Sequence, residues 1–404
     1  MTSSAAQRRA FQTAEVEAAA DAFRRIHLDA NANAPPTAAV KAAVLHGLET
    51  GANPSSAHAA GDAARTMLTA ARDAVAALCD GLFPENVVFT SGCTEANNLV
   101  VASARAAGAT LITSAVEHPS ILRPAEAYEA EGGSVIVVPV GRTGLLDFAK
   151  LDAALHSTTG PIFLSVQVAN SETGVLQPIE MIAAMAAQRG DVLFHTDAAQ
   201  AFGKAALQIG GGHGPDAVSV SAHKLHGPMG VGALLLREGE ARMRPLLLGG
   251  DQERGLRAGT QPLPLIAGFG AACAGRQRNL IADTTRMHSL RDRLEIGLCA
   301  ALPTVLVNGA AAPRLPNTSN LQFPGVDAMA LIALLDADGV LASQGSACHS
   351  RRPEPSHVLI AMGLQEDQSF ASVRFSVSPL NTEAEIDAAI SLVVAASRRL
   401  GIRG

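Results

Sequence analysis

Aromatic residues are scarce in this 404-residue chain, which has no tryptophan, one tyrosine and an aromatic content of 3%. Proteins that bind single-stranded nucleic acid stack its bases on aromatic side chains, so this composition disfavours that class. The chain also lacks an excess of positive charge, because its formal net charge is −6. Such a balance argues against electrostatic binding to nucleic acid or to an anionic membrane. We therefore expect neither kind of partner.

Cysteine is sparse as well, and its five positions are widely spaced: Cys79, Cys93, Cys273, Cys299 and Cys348. An odd number without a short Cys-x-x-Cys pair argues against a disulfide framework and against a zinc site. No stretch has the length of a membrane span. The first 25 residues lack the apolar core of a secretory signal, so we expect an extra helix or a frayed tail there. These absences predict reduced thiols, no metal and a cytoplasmic location.

Apolar residues make up 48% of the chain, and 37 glycines provide for many turns. Seven short β-rich runs alternate with Ala-rich stretches of helical periodicity. The runs are 86–90, 109–116, 134–140, 161–168, 191–198, 216–222 and 231–237. Continuous apolar strands separated by helices are typical of a buried parallel sheet. We therefore predict an α/β fold with a mostly parallel seven-stranded sheet.

This alternation ends near 245–265, where glycine, proline and charged residues accumulate. A long helix is expected after that point, followed by short strands and helices. We predict an N-terminal segment over 1–30 that packs on a small domain, a large domain over 31–264, and a small α+β domain over 265–404.

Three side chains near strand ends suit a site for pyridoxal 5′-phosphate (PLP). Burial favours the neutral amine of Lys224, which could form a Schiff base with an aldehyde. The carboxylate of Asp197 could keep a pyridine nitrogen protonated, and Gln200 could donate a hydrogen bond to the phenolic oxygen of the ring. A solvated strand end for Lys224 and a helix N-cap for Asp197 are the plainer alternatives.

A phosphate could bind where the segment TSGCTEANN turns from a strand into a helix. Backbone N–H groups of Cys93 and Thr94 and the Thr94 hydroxyl are the donors there, and Ser221 and His223 offer more. Thr94 and Glu95 could equally form an ordinary capping arrangement.

Three further residues have chemistry that suits a reaction site. His118 follows a strand and could stack on a cofactor or move protons, although a lone histidine there is more often structural. Cys348 lies in the polar loop SQGSACHS beside His349 and is placed to be a reactive thiolate. Arg374 could bind a substrate carboxylate in a bidentate pair or take part in a salt bridge.

From residue 28 to its end, the chain resembles the cysteine desulfurases, the NifS/IscS-like branch of the fold-type I PLP enzymes. The matching segments, in order, are LDANA, GANPSSAH, TSGCTEANN, EHPSIL, ANSETGVLQPI, FHTDAAQAFGK, SAHKLHGPMGVGAL, GGDQERGLRAGT, GSACHS, SHVLIAMG and VRFSVS. Each match is modest, whereas the joint order and spacing are specific.

The resemblance implies PLP as the cofactor, bound in the large domain and held covalently by Lys224. The other implied cofactor contacts are Asp197 at the pyridine nitrogen, Gln200 at the phenolic oxygen, His118 on the ring, and Cys93, Thr94, Ser221 and His223 around the phosphate. It also implies a homodimer in which Thr260 reaches the phosphate of the partner subunit. Asn31 and Arg374 would hold the substrate carboxylate.

The chain departs from the family at two positions. Asn33 stands near the substrate entrance, where the family usually has threonine. Ser171 replaces an asparagine that normally contacts the cofactor or the substrate, and Ser171 itself, the neighbouring Asn170 or a water could fill that role. Both departures bear on substrate identity and rate more than on cofactor binding.

The implied reaction converts L-cysteine into L-alanine. Lys224 would move the Cα proton, and the thiolate of Cys348 would attack the substrate sulfur and keep it as a persulfide for an acceptor protein or small molecule. One alternative is a PLP-dependent C–S or C–Se lyase, or an aminotransferase with another amino acid. A non-catalytic PLP-binding scaffold is the other.

Replacing Cys348 with alanine should leave cofactor binding intact and abolish persulfide formation, because the acceptor thiol is removed while the cofactor contacts remain. Absorbance of the bound cofactor and mass spectrometry of the protein after incubation with cysteine measure the two effects. Undiminished sulfur transfer by this variant would refute the assignment.

Overall fold

The computed structural model describes residues 25–209, 214–237, 242–345 and 354–402. Its largest element is a seven-stranded sheet in which all seven runs predicted from the sequence are strands. After a short first strand, β1 (Ile26–His27), these strands are β2 (Val87–Thr90), β3 (Thr110–Ser114), β4 (Val135–Val138), β5 (Ile162–Ser165), β6 (Val192–Asp197), β7 (Ala217–Ser221) and β8 (Gly232–Leu236).

The strand order across this sheet is β2-β8-β7-β6-β5-β3-β4. Only β8 runs against its neighbours, so the sheet is mostly parallel, as predicted. Six strands consequently have their carboxyl ends at one edge. Ligands of open α/β sheets bind outside that edge, so side chains there are the first candidates for a site.

Helices cover both faces of the sheet. Those of the large domain are α1 (Ala38–Thr50), α2 (Ala59–Ala76), α3 (Cys93–Ala106), α4 (Pro119–Ala130), α5 (Phe148–Ser157) and α6 (Ile179–Ala186). On the face under α2, the rings of Phe89 and Phe202 each meet Phe269 edge-on, with centroids 6.4 and 6.2 Å away. Such buried aromatic contacts fix the helix layer on the sheet.

A 39-residue helix, α7 (Leu263–Ala301), joins the two domains. Its first half packs on α1 and α2, and its second half packs on the C-terminal helix. A Cβ at Gly270 would come within 2.7 Å of Ala71 Cα, and one at Gly297 within 2.6 Å of Ile390 Cδ1. Glycine at both positions therefore allows the close packing of α7 in both domains.

The smaller domain is built on an antiparallel three-stranded sheet. Its strands and helices are β9 (Leu306–Val307), β10 (Thr318–Gln322), α8 (Ala328–Ala337), β11 (Val340–Leu341), α9 (His357–Ala361), α10 (Glu366–Phe370), β12 (Ser372–Ser376) and α11 (Glu383–Arg399). Strand β1 pairs in parallel with β11, and Asp29 bridges to Ser376. Residues just after position 24 thus lie against this domain.

A buried ion pair fixes the segment that precedes α7. Both carboxylate oxygens of Glu253 accept from Arg72, at 2.7 and 2.9 Å, and one also accepts from the Phe89 backbone N–H at 2.9 Å. Glu253 and Arg254 have φ angles of 49° and 58°, which non-glycine residues rarely adopt. This ion pair holds that unusual backbone turn beside the edge strand β2.

Over the described ranges, no helix combines the length and apolar composition that a bilayer span requires.

Replacing Gly232 with alanine should lower the free energy of unfolding by about 1–3 kcal/mol, the usual cost of overpacking. The new Cβ would lie 2.8 Å from Gly92 Cα and also clash with the Val220 carbonyl, at the junction of β8 with the turn before α3. Gly190→Ala is the matched control, since a Cβ there meets nothing within 4 Å. Denaturant melts measure both variants, and equal stability of the two would contradict this packing argument.

Candidate active site

The carboxyl edge of the large sheet opens into a cavity of about 530 Å³. Asn31 and Ala32, residues after five strand ends of the large sheet, and residues of the small domain line it. Those predicted from the sequence and found in its wall are Asn31, Cys93, Thr94, His118, Ser171, Asp197, Gln200, Ser221, His223, Lys224 and Arg374. The fold thus brings together side chains that lie more than 340 positions apart in the sequence.

Lys224 lies in the 3₁₀ turn Ala222–Leu225, directly after β7. Its Nζ donates to the carbonyl oxygens of Asn31 at 2.6 Å and Ala32 at 2.9 Å. Burial, and next the positive charge of Arg374, lower the pKa of Lys224 from 10.5 to about 8. A substantial fraction of the amine is therefore neutral near physiological pH, as a nucleophilic lysine requires.

Asp197 is the last residue of β6, and hydrogen-bond donors surround its carboxylate. Asn97 Nδ2 donates to Oδ2 at 2.7 Å, the Ala199 N–H donates to Oδ1 at 2.8 Å, and the Cys93 thiol lies 3.3 Å from Oδ1. Burial and the neighbouring Asp197 raise the pKa of Cys93 well above its usual value. Cys93 is thus a thiol donor in this site rather than a thiolate.

The turn before α3 provides donors suited to an anion. The first N–H groups of a helix have no acceptor within it, and Cys93 and Thr94 are the first two residues of α3. Ser221 Oγ lies 2.8 Å from His223 Nδ1 on the facing turn. Burial and the charge of Lys224 lower the pKa of His223 to about 4, so this ring is neutral. Hydroxyl and N–H groups therefore converge as a phosphate site requires.

His118 caps helix α4 with its own ring. Its Nδ1 accepts from the Ser120 N–H at 3.1 Å and lies 2.7 Å from Ser120 Oγ. Burial lowers the pKa of His118 below its usual value. Ser120 and Asn97 contact this histidine and Asp197, yet they were missed in the sequence, where Asn97 could have been noticed one helical turn after Cys93.

The side chain of Asn31 is fully engaged. Its Nδ2 donates to Thr318 Oγ1 at 2.8 Å and to the Ser171 carbonyl at 3.2 Å. Its Oδ1 accepts from Asn317 Nδ2 at 2.9 Å and lies 3.4 Å from Lys204 Nζ. A substrate carboxylate could bind this amide only by displacing one of these partners.

Gln200 keeps one amide hydrogen available. Its Nε2 donates to the Asn31 carbonyl at 3.0 Å, and its Oε1 accepts from Lys204 Nζ at 3.2 Å. Lys204 is buried, and burial lowers its pKa well below the usual value. The sequence motif contained this lysine four residues after Gln200, but its contact with Gln200 and Asn31 was not predicted.

Arg374 extends from β12 of the small domain into the same cavity. Its Nη1 donates to the carbonyls of Ser171 and Gly345, both at 3.1 Å, and its Nη2 donates to Asp29 at 2.6 Å. Its buried Nε has no hydrogen-bond partner in the part of the chain that the structure describes. The plainer salt-bridge interpretation is thus present, and Arg374 also lines the cavity with its positive charge, as a contact for a carboxylate requires.

Three other predicted residues, Asn170, Thr260 and Asn33, do not line this cavity. Asn170 is buried, with Oδ1 accepting from Thr173 and from the Glu172 N–H and with Nδ2 donating to the Val116 carbonyl. Thr260 is exposed, away from the cavity of its own chain. Asn33 is half-buried and also lies outside the wall. Cys348 lies outside the described residues.

Two buried carboxyl groups were not assigned roles from the sequence. Burial raises the pKa of Glu117 to about 8, and its Oε1 accepts from Ser114 Oγ at 2.5 Å. Glu172 Oε2 accepts from Ser356 Oγ at 2.5 Å. A Cβ at Gly345 would lie 2.7 Å from that same oxygen, so Glu172 leaves room for glycine alone there.

Comparisons with known proteins agree on one family. The aminotransferase class-V family model matches residues 26–389. Cysteine desulfurase 2 of Trichormus variabilis is 42% identical over 379 residues, covering 93% of this chain and 94% of that protein. The NifS-like protein of Rickettsia africae superposes with a TM-score of 0.83 at 30% identity, covering 92% of this chain and 99% of the other. SspA, solved in complex with cysteine, gives a TM-score of 0.76 at 30% identity, with 88% and 99% covered.

The lowered pKa of Lys224 predicts how the cofactor-free chain reacts with an aldehyde. Only the neutral amine condenses, so the rate of reaction with added PLP should rise with pH and reach half its maximum near pH 8, far below the usual 10.5. Absorbance of the Schiff base, followed in wild type and in Lys224→Ala, measures this rate. A half-maximum near the ordinary lysine value would contradict the effect of burial.

Proposed function

The chain belongs to the aminotransferase class-V family, within its cysteine desulfurase branch, and from that premise we propose that it is a PLP-dependent enzyme that converts L-cysteine into L-alanine and keeps the sulfur as a persulfide. One observation carries the proposal: an amine with a lowered pKa, Lys224, shares a cavity with a donor-surrounded carboxylate, Asp197, and with the guanidinium of Arg374.

The wall of the cavity fits the proposed cofactor. A phosphate needs a cluster of donors, which Thr94, Ser221 and His223 provide. A protonated ring nitrogen needs a carboxylate that accepts its hydrogen bond, and Asp197 is suited to this role. An aldehyde needs an amine, which Lys224 provides. PLP, when bound, supplies an aldehyde for covalent attachment and a protonated ring that withdraws electrons from the substrate.

Arg374 is the proposed contact for the substrate carboxylate. Its guanidinium already bonds to Asp29, and Arg374 lines the cavity, where its positive charge supports binding of a carboxylate. Asn31 would support this site indirectly, because its amide is engaged and its carbonyl oxygen accepts from both Gln200 and Lys224. Asn33 and Ser171 are then proposed to shape the entrance and the backbone beside the substrate.

Lys224 is proposed to move the proton at Cα. The hydrogen bonds from Nζ to the carbonyls of Asn31 and Ala32 hold the amine at the mouth of the cavity. The lowered pKa of Lys224 allows it to accept a proton and to return it without a large free-energy cost.

Cys348 is the proposed acceptor of the sulfur. Its thiolate would attack the sulfur of the substrate, a new S–S bond would form, and the C–S bond would break with its electron pair left on the carbon that becomes the alanine methyl group. The described thiols support this choice by elimination: burial raises the pKa of all four, Cys79, Cys93, Cys273 and Cys299, which disfavours their thiolates.

The sulfur would then pass to an acceptor protein or small molecule. A homodimer is also proposed, because Thr260 is exposed and remote from its own cavity, as expected of a residue that serves the partner subunit.

Incubation of the PLP-loaded chain with L-cysteine should yield alanine and a protein persulfide in equal amounts. Lys224→Ala should yield neither, and Cys348→Ala should form no persulfide, while Cys299→Ala, a half-buried thiol on α7, should behave as wild type. Amino-acid analysis and mass spectrometry of the protein measure these products.

Release of a keto acid without alanine would favour an aminotransferase or a lyase, and absence of any turnover would favour a non-catalytic scaffold. Either result would overturn the proposal.

A further inference from the structure

A line of hydrogen bonds joins the carboxylate of Asp197 to the imidazole of His118 through two side chains that the proposed reaction does not use. Asn97 Nδ2 lies 2.7 Å from Asp197 Oδ2 and 2.8 Å from Ser120 Oγ. Ser120 Oγ in turn lies 2.7 Å from His118 Nδ1. Asn97 is fully buried and Ser120 nearly so, so water does not compete for these bonds.

The first two bonds of this line have a fixed direction. A carboxylate only accepts, so the amide nitrogen of Asn97, and not its oxygen, faces Asp197. The second hydrogen of the same nitrogen then points at Ser120 Oγ, which accepts it. A hydroxyl oxygen has a second lone pair, so the direction of the last bond, between Ser120 Oγ and His118 Nδ1, depends on which of the two atoms carries a hydrogen.

A separate contact fixes the last bond. The backbone N–H of Ser120 also donates to His118 Nδ1, at 3.1 Å. This donor cannot be reversed, so a hydrogen on Nδ1 would face a backbone N–H. Nδ1 therefore carries a lone pair, the Ser120 hydroxyl donates to it as well, and the ring hydrogen lies on Nε2.

We propose that Asn97 and Ser120 are positioning residues that hold His118 as the neutral Nε2–H tautomer. His118 then offers a hydrogen-bond donor to the cavity instead of a general base. Protonating the ring would place a hydrogen on Nδ1 that faces the backbone N–H of Ser120 and would end the bond donated by the Ser120 hydroxyl, so these contacts also disfavour the imidazolium form.

The charged groups around His118 act on the same equilibrium. Lys224 and His357 face the ring and lower its pKa, as burial does, whereas Asp197 raises it. Glu117 precedes His118 in the chain and is itself buried, with a pKa raised to about 8. Asp197 therefore has two opposite effects on His118. Its negative charge favours the charged ring, whereas the hydrogen bonds that begin at its carboxylate hold the ring neutral.

The inference rests on the proposed function in one respect only, namely which group accepts the Nε2 hydrogen during the reaction. The tautomer itself is a property of the chain without cofactor, and it is measured without turnover. Loss of activity and an incorrect tautomer are therefore separate results.

Nitrogen-15 spectra of the histidine-labelled chain, recorded without and with PLP, report which ring nitrogen carries the hydrogen. The His118 signals are assigned by their absence in His118→Gln. Wild type should show Nε2–H alone across the neutral pH range. Ser120→Ala removes one of the two donors and should raise the pKa of His118 by about 0.5–1 unit, the equivalent of one net hydrogen bond.

Asn97→Ala should shift the His118 pKa in the same direction by a smaller amount, since Ser120 keeps its own contacts. Ser120→Thr keeps a hydroxyl and should restore the wild-type titration. Asn98→Ala is the matched control, because its exposed amide donates to the Thr94 carbonyl on the same helix.

Two results would overturn the inference. One is a hydrogen on Nδ1 in the neutral ring of the wild-type chain, which needs no variant to fold. The other is a His118 titration that is the same in Ser120→Ala, Asn98→Ala and wild type. In either case, production of alanine from cysteine would still support the proposed function.

Discussion

The carboxylate of Asp197 only accepts hydrogen bonds, and this constraint determines how the donors and acceptors around it are oriented. It stands at the end of a central strand and is largely buried, and an isolated charge there would be costly. Asn97, Cys93 and the Ala199 N–H stabilise it with three donors. Because each donor has a fixed orientation, the carboxylate also determines which atoms of its neighbours face the cavity.

Both domains and the N-terminal segment are needed for the site to exist. The carbonyl of Asn31 accepts from Gln200 and Lys224, whereas its amide reaches Asn317 and Thr318 of the small domain. Arg374 crosses in the other direction, from the small domain to Ser171. These buried bonds couple the geometry of the lysine to the placement of the small domain, so neither half provides a complete cavity alone.

The sequence was sufficient for the sheet and for the charged groups at its carboxyl edge. Continuous apolar runs predicted all seven strands because a strand buried on both faces must be apolar throughout. Asp197 lies near the end of one such run and Lys224 just after another, and the carboxyl ends of parallel strands share one edge.

Contacts between distant side chains were not predictable. Ser120 lies 23 positions from Asn97, and Lys204 lies 173 positions from Asn31. No periodicity encodes such pairs, because they depend on how α3, α4 and the N-terminal segment approach one another. The engagement of both ends of the Asn31 and Asn170 amides was hidden for the same reason.

The pairing of β1 with β11 makes the small domain discontinuous in the chain. A fragment that began with α7 would lack the strand that covers β11 and the aspartate that binds Arg374. Its open strand edge and uncompensated guanidinium would both be exposed to unrelated chains, which favours aggregation. During synthesis the small domain can therefore be completed only after α11 has emerged, because its first strand, β1, is made long before the strand β11 with which it pairs.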